Sequence, residues 1–147
     1  MRTLRIIGMA VIAVIMSVNF TACGDDDDFN TDDLVGLWEG ESSYILEKED
    51  GEVVYDDSEE LSQRFKLNSD GTAISYYKSG SSWMVEGEGT WSYKDGKLYT
   101  QVDGEEDYVT ILELNPQKLV VEMYDSETED GVKYEYYEKD TYKKVTE

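Results

Sequence analysis

The sequence predicts an all-β protein, an eight-stranded antiparallel up-and-down β-barrel behind an export signal, and three observations carry that expectation. No window sustains an i, i+3, i+4 apolar pattern, whereas period-two alternation recurs at short intervals. The alternating stretches are separated by Asp-Gly, Asn-Ser-Asp-Gly, Ser-Gly-Ser and Asn-Pro-Gln, residue types that join consecutive antiparallel strands. The alternation sorts side chains into an apolar, aromatic face and a largely acidic one. A meander with one wet face can close on itself and so remove its edges.

The amino-terminal stretch reads differently. Residues 1–5 carry two arginines and no acid, and residues 6–18 form an apolar run shorter than the ~18 residues that mark a membrane-span candidate. This is the pattern of a signal peptide. Cys23 follows, the only cysteine of the chain, in the stretch "NFTACGDDDD". An exported chain normally pairs its cysteines, and this one has no partner. The preceding Phe20-Thr21-Ala22 resembles a bacterial lipobox. That resemblance implies cleavage before Cys23, a diacylglycerol on its sulfur and acylation of the new amino group, and two or three such chains anchor stably where one would not. Gly24 and the aspartates Asp25, Asp26, Asp27 and Asp28 resemble the acidic export signal of surface lipoproteins in the Bacteroidetes. On charge alone they form an extended, solvated tether.

The expected division is therefore residues 1–22 as signal peptide, 23–33 as lipidated cysteine and acidic tether, and 34–147 as the barrel, which is the size of one domain. The expected place is the outer membrane, held there by the lipid on Cys23, with the domain on the cell surface or alternatively facing the periplasm. The chain has 34 acidic and 13 basic residues, a formal net charge of −21, and cleavage would remove Arg2 and Arg5 and leave −23. That charge argues against nucleic acid and against adsorption to anionic lipid head groups, and it favours a cationic protein partner or simple colloidal repulsion.

Along the barrel, Asn30 at the head of Asn-Thr-Asp-Asp-Leu can cap one short helical turn. The first strand is expected over residues 36–48, turned by Asp50-Gly51. The second is extended at 52–55 and 61–67, with an acidic stretch at 56–60 between. After Asn68-Ser69-Asp70-Gly71 come strands at 72–78, 83–93, 97–102, 107–114 and 119–124, then a long loop ending at Asp130-Gly131, and a last strand at 132–145. Strict alternation puts Trp38, Gly40, Ser42, Tyr44 and Leu46 on one face of the first strand. It groups Trp83, Val85, Gly87, Gly89, Trp91 and Tyr93 on the fourth, and Tyr108, Thr110, Leu112 and Leu114 on the sixth. Gly87 and Gly89 would leave room beside a neighbouring strand.

The stretches "LVGLWEG" and "LNSDGTAISYYKSGSSWMVEGEGTWSYKDGKLYTQ" resemble the small bacterial lipocalin-like domains, here in the setting of a Bacteroidetes-type lipoprotein. The shared features are Gly36-Leu37-Trp38 on the first strand, the Asp70-Gly71-Thr72 turn, Gly89-Thr90-Trp91, and Asp95-Gly96 with Leu98 beyond it. The resemblance runs from about residue 34 to the carboxyl end and implies an up-and-down barrel. Larger lipocalins pack an arginine over the Gly-x-Trp indole. The only arginine after the signal here is Arg64, which leaves Lys143 or Lys144 for that place.

Chemistry is narrowed by what is missing. Histidine is absent and the one cysteine is assigned to lipid, which removes Ser-His and Cys-His nucleophiles and nearly every zinc, copper or haem site. No glycine-rich phosphate loop is present. The acidic runs lack the ligand spacing of a calcium loop, and residues 125–130 read as a solvated loop. With so many acids, any two could be named a catalytic dyad, so no catalytic residue, metal ligand or cofactor is assigned and no enzyme is expected. The site candidates are aromatic: Trp38 and Trp91 closing the barrel, and Tyr44, Trp83, Tyr93 and Tyr108 lining a ligand. Eight strands enclose a space just large enough to be filled by side chains or to hold one small ligand. Two readings follow: a cup for a small apolar or sugar-like molecule, or a filled barrel whose acidic outside meets a cationic protein.

Overall fold

The computed structural model describes residues 29–146, so the expectations for the signal peptide, for Cys23 and for Asp25, Asp26, Asp27 and Asp28 lie outside the described residues. The chain makes one 3₁₀ turn, Thr31–Leu34, whose first free N–H groups are capped as expected: the Asn30 side chain accepts from the Asp32 N–H at 3.1 Å. Nine strands follow: β1 (Gly36–Glu49), β2 (Glu52–Glu60), β3 (Arg64–Leu67), β4 (Thr72–Ser79), β5 (Ser82–Lys94), β6 (Lys97–Val102), β7 (Glu105–Asn115), β8 (Lys118–Glu129) and β9 (Val132–Val145). Consecutive strands from β3 to β9 pair antiparallel, and β1 pairs with β3 on one side and β9 on the other. The ring of β1 and β3 to β9 is a closed eight-stranded barrel. The fold class read from alternation and turns is the one observed.

Turn chemistry explains the connectivity. Asp50, Asp95, Asp103 and Asp130 have φ of 50, 53, 55 and 55°, and each glycine after them has φ between 80 and 87°. Two successive left-handed residues make the type I′ turn, whose twist matches that of the flanking strands. The last of these turns overturns the loop expected over 125–130. Because a two-residue turn sets the strands in register at once, β8 runs to Glu129 and pairs with β9 up to Glu129↔Val132.

The second strand also differs from expectation. The acidic residues 56–60 are paired strand, from Leu46↔Asp56 to Ser42↔Glu60, and the break falls at residues 61–63. Gly40 explains the break. Its N–H donates to the Gln63 carbonyl at 2.7 Å, and a Cβ there would lie 2.6 Å from Leu61 Cγ, so the crossing chain needs the missing side chain. Above this crossing β2 pairs only with β1, and β4 beyond Tyr76 pairs only with β5. The wall is therefore split between β2 and β4.

Three register shifts re-aim the expected faces, because one extra residue in a bulge moves every later side chain to the other side. In β1 the shift between Gly40 and Ser42 keeps Trp38 inside but turns Ser43 and Ile45 inward, where Ser42 and Tyr44 were expected. In the β4–β5 pair the shift at Ser75/Tyr76 leaves Trp91 and Tyr93 inside and puts Trp83 and Val85 on the outer face, with Lys78 and Tyr76 opposite them. In β7 the inner residues are Val109 and Ile111, then Leu114 after the shift between Ile111 and Glu113, whereas Tyr108 and Leu112 are exposed.

The core sits at the end of the barrel marked by Trp38. Leu34, Trp38, Leu67 and Leu119 are its largest fully buried side chains, with Trp91, Tyr93 and Phe29 packed against the same cluster. The Trp38 indole N–H donates to the Leu34 carbonyl at 2.9 Å. Lys144 Nζ stands 4.8 Å from the Trp38 ring centroid and donates to the Asp33 and Val35 carbonyls at 2.7 and 2.8 Å. Of the two lysines left for the arginine's place, Lys144 takes it. It supplies the positive charge over the ring and ties the 3₁₀ turn down as a plug.

Candidate functional site

Above that plug the barrel encloses a cavity of about 90 Å³. Its floor and walls are mostly apolar, from Phe65, Leu98, Val102, Val109, Val121 and Met123, with Gln63, Ser75, Thr100, Asp107, Asp140 and Tyr142 converging on the same space. Such a mixture, an apolar pocket with a few placed polar groups, is the usual form of a small-molecule site. Gln63 and Arg64, at the foot of the split between β2 and β4, are among its lining residues.

Strand alternation positions the polar set. On β9, Tyr136, Glu138, Asp140 and Tyr142 share the inner face, and Asp140 stands opposite Ser43 of β1 and Val121 of β8. Ser43 reaches that place only because of the bulge in β1. On β5, Gly87 and Gly89 leave the space in which β6 crosses: a Cβ on Gly87 would touch Val102 Cγ1 at 3.4 Å, and one on Gly89 would overlap the Gln101 carbonyl oxygen. The room expected beside these glycines is thus taken by the neighbouring strand.

The electrostatics of the cavity are unusual for a barrel interior. Asp140 is only 2 % exposed, and Glu138 beside it is buried as well. Burial pushes the Asp140 carboxyl far above the ordinary carboxylate range and the charge of Glu138 pushes it further, while the Ser43 and Tyr142 hydroxyls pull the other way. The Tyr142 hydroxyl donates to Gln63 Oε1 at 2.6 Å, and Tyr136 donates to Glu138. Across the cavity, Asp107 is raised by burial, with a smaller push from Asp125, against the stabilising N–H of Tyr108 at 2.8 Å.

Among the described residues, three buried side-chain atoms have no hydrogen-bond partner: Asp140 Oδ1, Ser75 Oγ and Arg64 Nε. All three residues line this one cavity. Buried polar atoms are nearly always paired, because an unpaired one costs roughly 1–3 kcal/mol. Asp140 and Ser75, both on the inward register, mark the cavity as a place that a polar molecule, water or ligand, completes.

The expected ligand-lining aromatics are scattered by the same bulges. Tyr108 borders the cavity but is 49 % exposed, its ring 5.5 Å from that of Tyr99 on the outer surface. Tyr44, Trp83 and Tyr93 are not part of the cavity wall. Tyr44 meets Tyr137 edge-on at 6.3 Å, and a hydrogen bond with Asp56 raises its pKa. Trp83 lies under the Arg64 guanidinium at 4.6 Å, while Arg64 Nη2 is held by Glu39 at 2.7 Å. Tyr93 belongs to the closed end, where its hydroxyl accepts from the Phe29 N–H at 3.4 Å. Trp91 is there too, its indole donating to the Asn68 carbonyl at 2.8 Å. Composition does not single out Asp140, Ser75, Gln63 or Tyr142. The signal for Asp140 was present in "YEYYEKDTY", where Tyr134, Tyr136, Glu138, Asp140 and Tyr142 recur at every second residue.

The family model described as a lipocalin-like domain matches residues 34–121. A solved lipocalin-like protein from Bacteroides uniformis superposes with a TM-score of 0.51 at 13% identity, over 77% of this chain and 99% of that one. An uncharacterized protein from Bacteroides eggerthii gives 0.47 at 14% identity, over 76% and 99%. No curated protein matches the sequence.

Proposed function

Because the chain belongs to the lipocalin-like domain family, whose barrels are typically non-enzymatic, we propose that it is a binding protein that holds one small ligand inside the barrel and is tethered to the outer membrane by lipid on Cys23. The observation that carries the binding reading is that two unpaired polar atoms, Asp140 Oδ1 and Ser75 Oγ, belong to residues that line one largely apolar cavity. A barrel filled by its own side chains has no reason to leave Asp140 Oδ1 and Ser75 Oγ unmatched on the same space. The tether rests on residues 1–28, where a charged start, an apolar run and an isolated cysteine stand in order.

The test is a titration of the folded domain with benzyl alcohol, followed by two-dimensional amide NMR. Binding in the cup shifts amides of Ser75, Thr100, Val102 and Val121, and Ala73→Phe, which fills the wall beside Ser75, removes those shifts while leaving the spectrum folded. Shifts absent from these positions in the parent protein would overturn the reading. The second reading, an acidic outer surface that meets a cationic protein, draws on the formal charge of −21. It predicts shifts on outward-facing residues, Glu122 and Glu135 among them, when a basic protein such as lysozyme is added.

A further inference from the structure

We propose that the ligand is a small organic cation, a compact amine whose nitrogen pairs with Asp140 and whose apolar body fills the rest of the cavity; this deepens the binding reading above and rests on it. The first observation is Asp140 itself, nearly fully buried on the cavity wall with one carboxylate oxygen unpartnered. The second, independent of it, is the sign of the groups that share its face. Register places Ser43, Ile45 and Glu47 of β1 on the same side as Asp140, and pairs them with Glu59, Asp57 and Tyr55 of β2. The same side carries Glu138 on β9, Asp125 on β8 and Asp107 on β7. From the cavity to the split rim, the inner surface therefore holds carboxylates on five strands.

The lysines are all elsewhere. Among the described residues Lys48, Lys66, Lys78, Lys97, Lys118, Lys133, Lys139 and Lys143 share the outward register, or stand at turns as Lys94 does. Lys144 points inward but below Trp38, where two backbone carbonyls hold it. Arg64 borders the cavity, yet its guanidinium is spent on Glu39 and on the face of Trp83. A cavity with a buried acid and an acidic approach, whose one bordering cation among the described residues is already engaged by Glu39, selects positive charge: the rim concentrates cations, and the buried carboxylate forms a charge-assisted hydrogen bond in a low-dielectric setting. Ser75 Oγ, also unpaired, can accept a second N–H or hold a water to it. The space, about 90 Å³, suits a compact ring or a short branched chain. An anionic ligand would meet Asp140, Glu138 and Asp107 together.

The experiment compares three probes of one shape, benzylamine, benzyl alcohol and benzoate, by calorimetry on the folded domain and on its Asp140→Asn variant. The expected result is that benzylamine binds roughly tenfold or more tighter than benzyl alcohol to the parent protein. Benzoate binds more weakly than either. In Asp140→Asn the preference for the amine collapses, while benzyl alcohol still shifts the amides of Thr100, Val102 and Val121, which shows that the cup itself is intact. Because asparagine keeps the shape of aspartate, a variant that fails to fold is replaced by a second measurement on the parent. Benzylamine affinity then rises with pH across the range in which Asp140 gives up its proton, and binding releases that proton to the buffer. Amine and alcohol binding equally well, benzoate binding best, or an amine preference that survives in Asp140→Asn would each overturn the cation proposal while leaving the cup. Binding of none of the three would overturn the cup as well.

Discussion

Replacing Trp38 by alanine puts the closed end of the barrel to the test. The side chain is fully buried, its N–H is held by the Leu34 carbonyl at 2.9 Å, and Lys144 Nζ stands 4.8 Å from its ring centroid. Truncating a buried tryptophan costs about 3–5 kcal/mol in lost transfer energy and residual void. A desolvated cation–π contact adds about 1–2 kcal/mol. Together these give about 4–7 kcal/mol, set against a total stability of about 5–15 kcal/mol for a domain of ordinary size. Trp83 is the control. It is half-buried on the outer face under Arg64, and its removal should cost about 1 kcal/mol, chiefly that contact. Urea unfolding followed by far-ultraviolet circular dichroism reads both without depending on the tryptophans as reporters. Equal losses for the two variants would refute the reasoning, since the plug would then contribute no more than a surface indole. A Lys144→Met variant sharpens the result: if the stacking is real, Trp38→Ala and Lys144→Met together cost less than the sum of each alone.

Gly89→Ala should destabilise by about 1–3 kcal/mol, because the new methyl overlaps the Gln101 carbonyl, whereas Gly87→Ala meets Val102 at an ordinary 3.4 Å and should be nearly neutral by the same unfolding assay. Asp140 predicts a pH dependence. Its native pKa is raised above the unfolded value of about 3.9, so the native state keeps a proton that the unfolded chain has lost. Its contribution is fully present below about pH 4 and is lost as pH rises through the raised native value. Asp140→Asn should therefore flatten the fall in urea midpoint between about pH 5 and about pH 8, and an unchanged slope would count against the buried acid. Cys23→Ser should abolish incorporation of labelled palmitate in the native host, and equal labelling of the variant would remove the lipid anchor from the reading.

What the sequence made legible was what local chemistry controls. Asp-Gly pairs determine hairpins wherever they occur, and Asn30 caps its turn from two residues away. The Gly-x-Trp start brought with it the need for a cation over the indole, which Lys144 meets. Facing was legible only as far as the first bulge. Trp38 was placed correctly, and Tyr44, six residues later and beyond the bulge, was not. A bulge depends on what the opposite strand does: β1 shifts at Gly40 because Leu61 crosses there, and nothing within β1 announces it. The same holds for Trp83, whose side is decided by the shift opposite Ser75. The site itself was hidden by composition. In a chain so rich in carboxylates Asp140 is one acid among many, and it becomes singular only when three strands bury it.

Burial of Asp140 beside Glu138 also bears on why such an arrangement would exist in a binding protein. Two carboxyl groups out of water and next to each other oppose folding, and apolar residues of similar volume at such places are often neutral or stabilising. The free barrel must hold Asp140 protonated, or bear the repulsion between the two. A cation entering the cavity reverses that balance: it supplies the missing partner for Asp140 Oδ1, lets the carboxylate ionise, and adds the linkage stabilisation of any ligand that binds only the folded state. Ligand binding and stability are then coupled through one residue, and the coupling has a sign. Stabilisation by an amine should grow as pH rises towards neutrality, over the range in which the unliganded barrel grows weaker. A neutral ligand of the same shape, blind to the charge on Asp140, should stabilise the fold by an amount that changes little with pH.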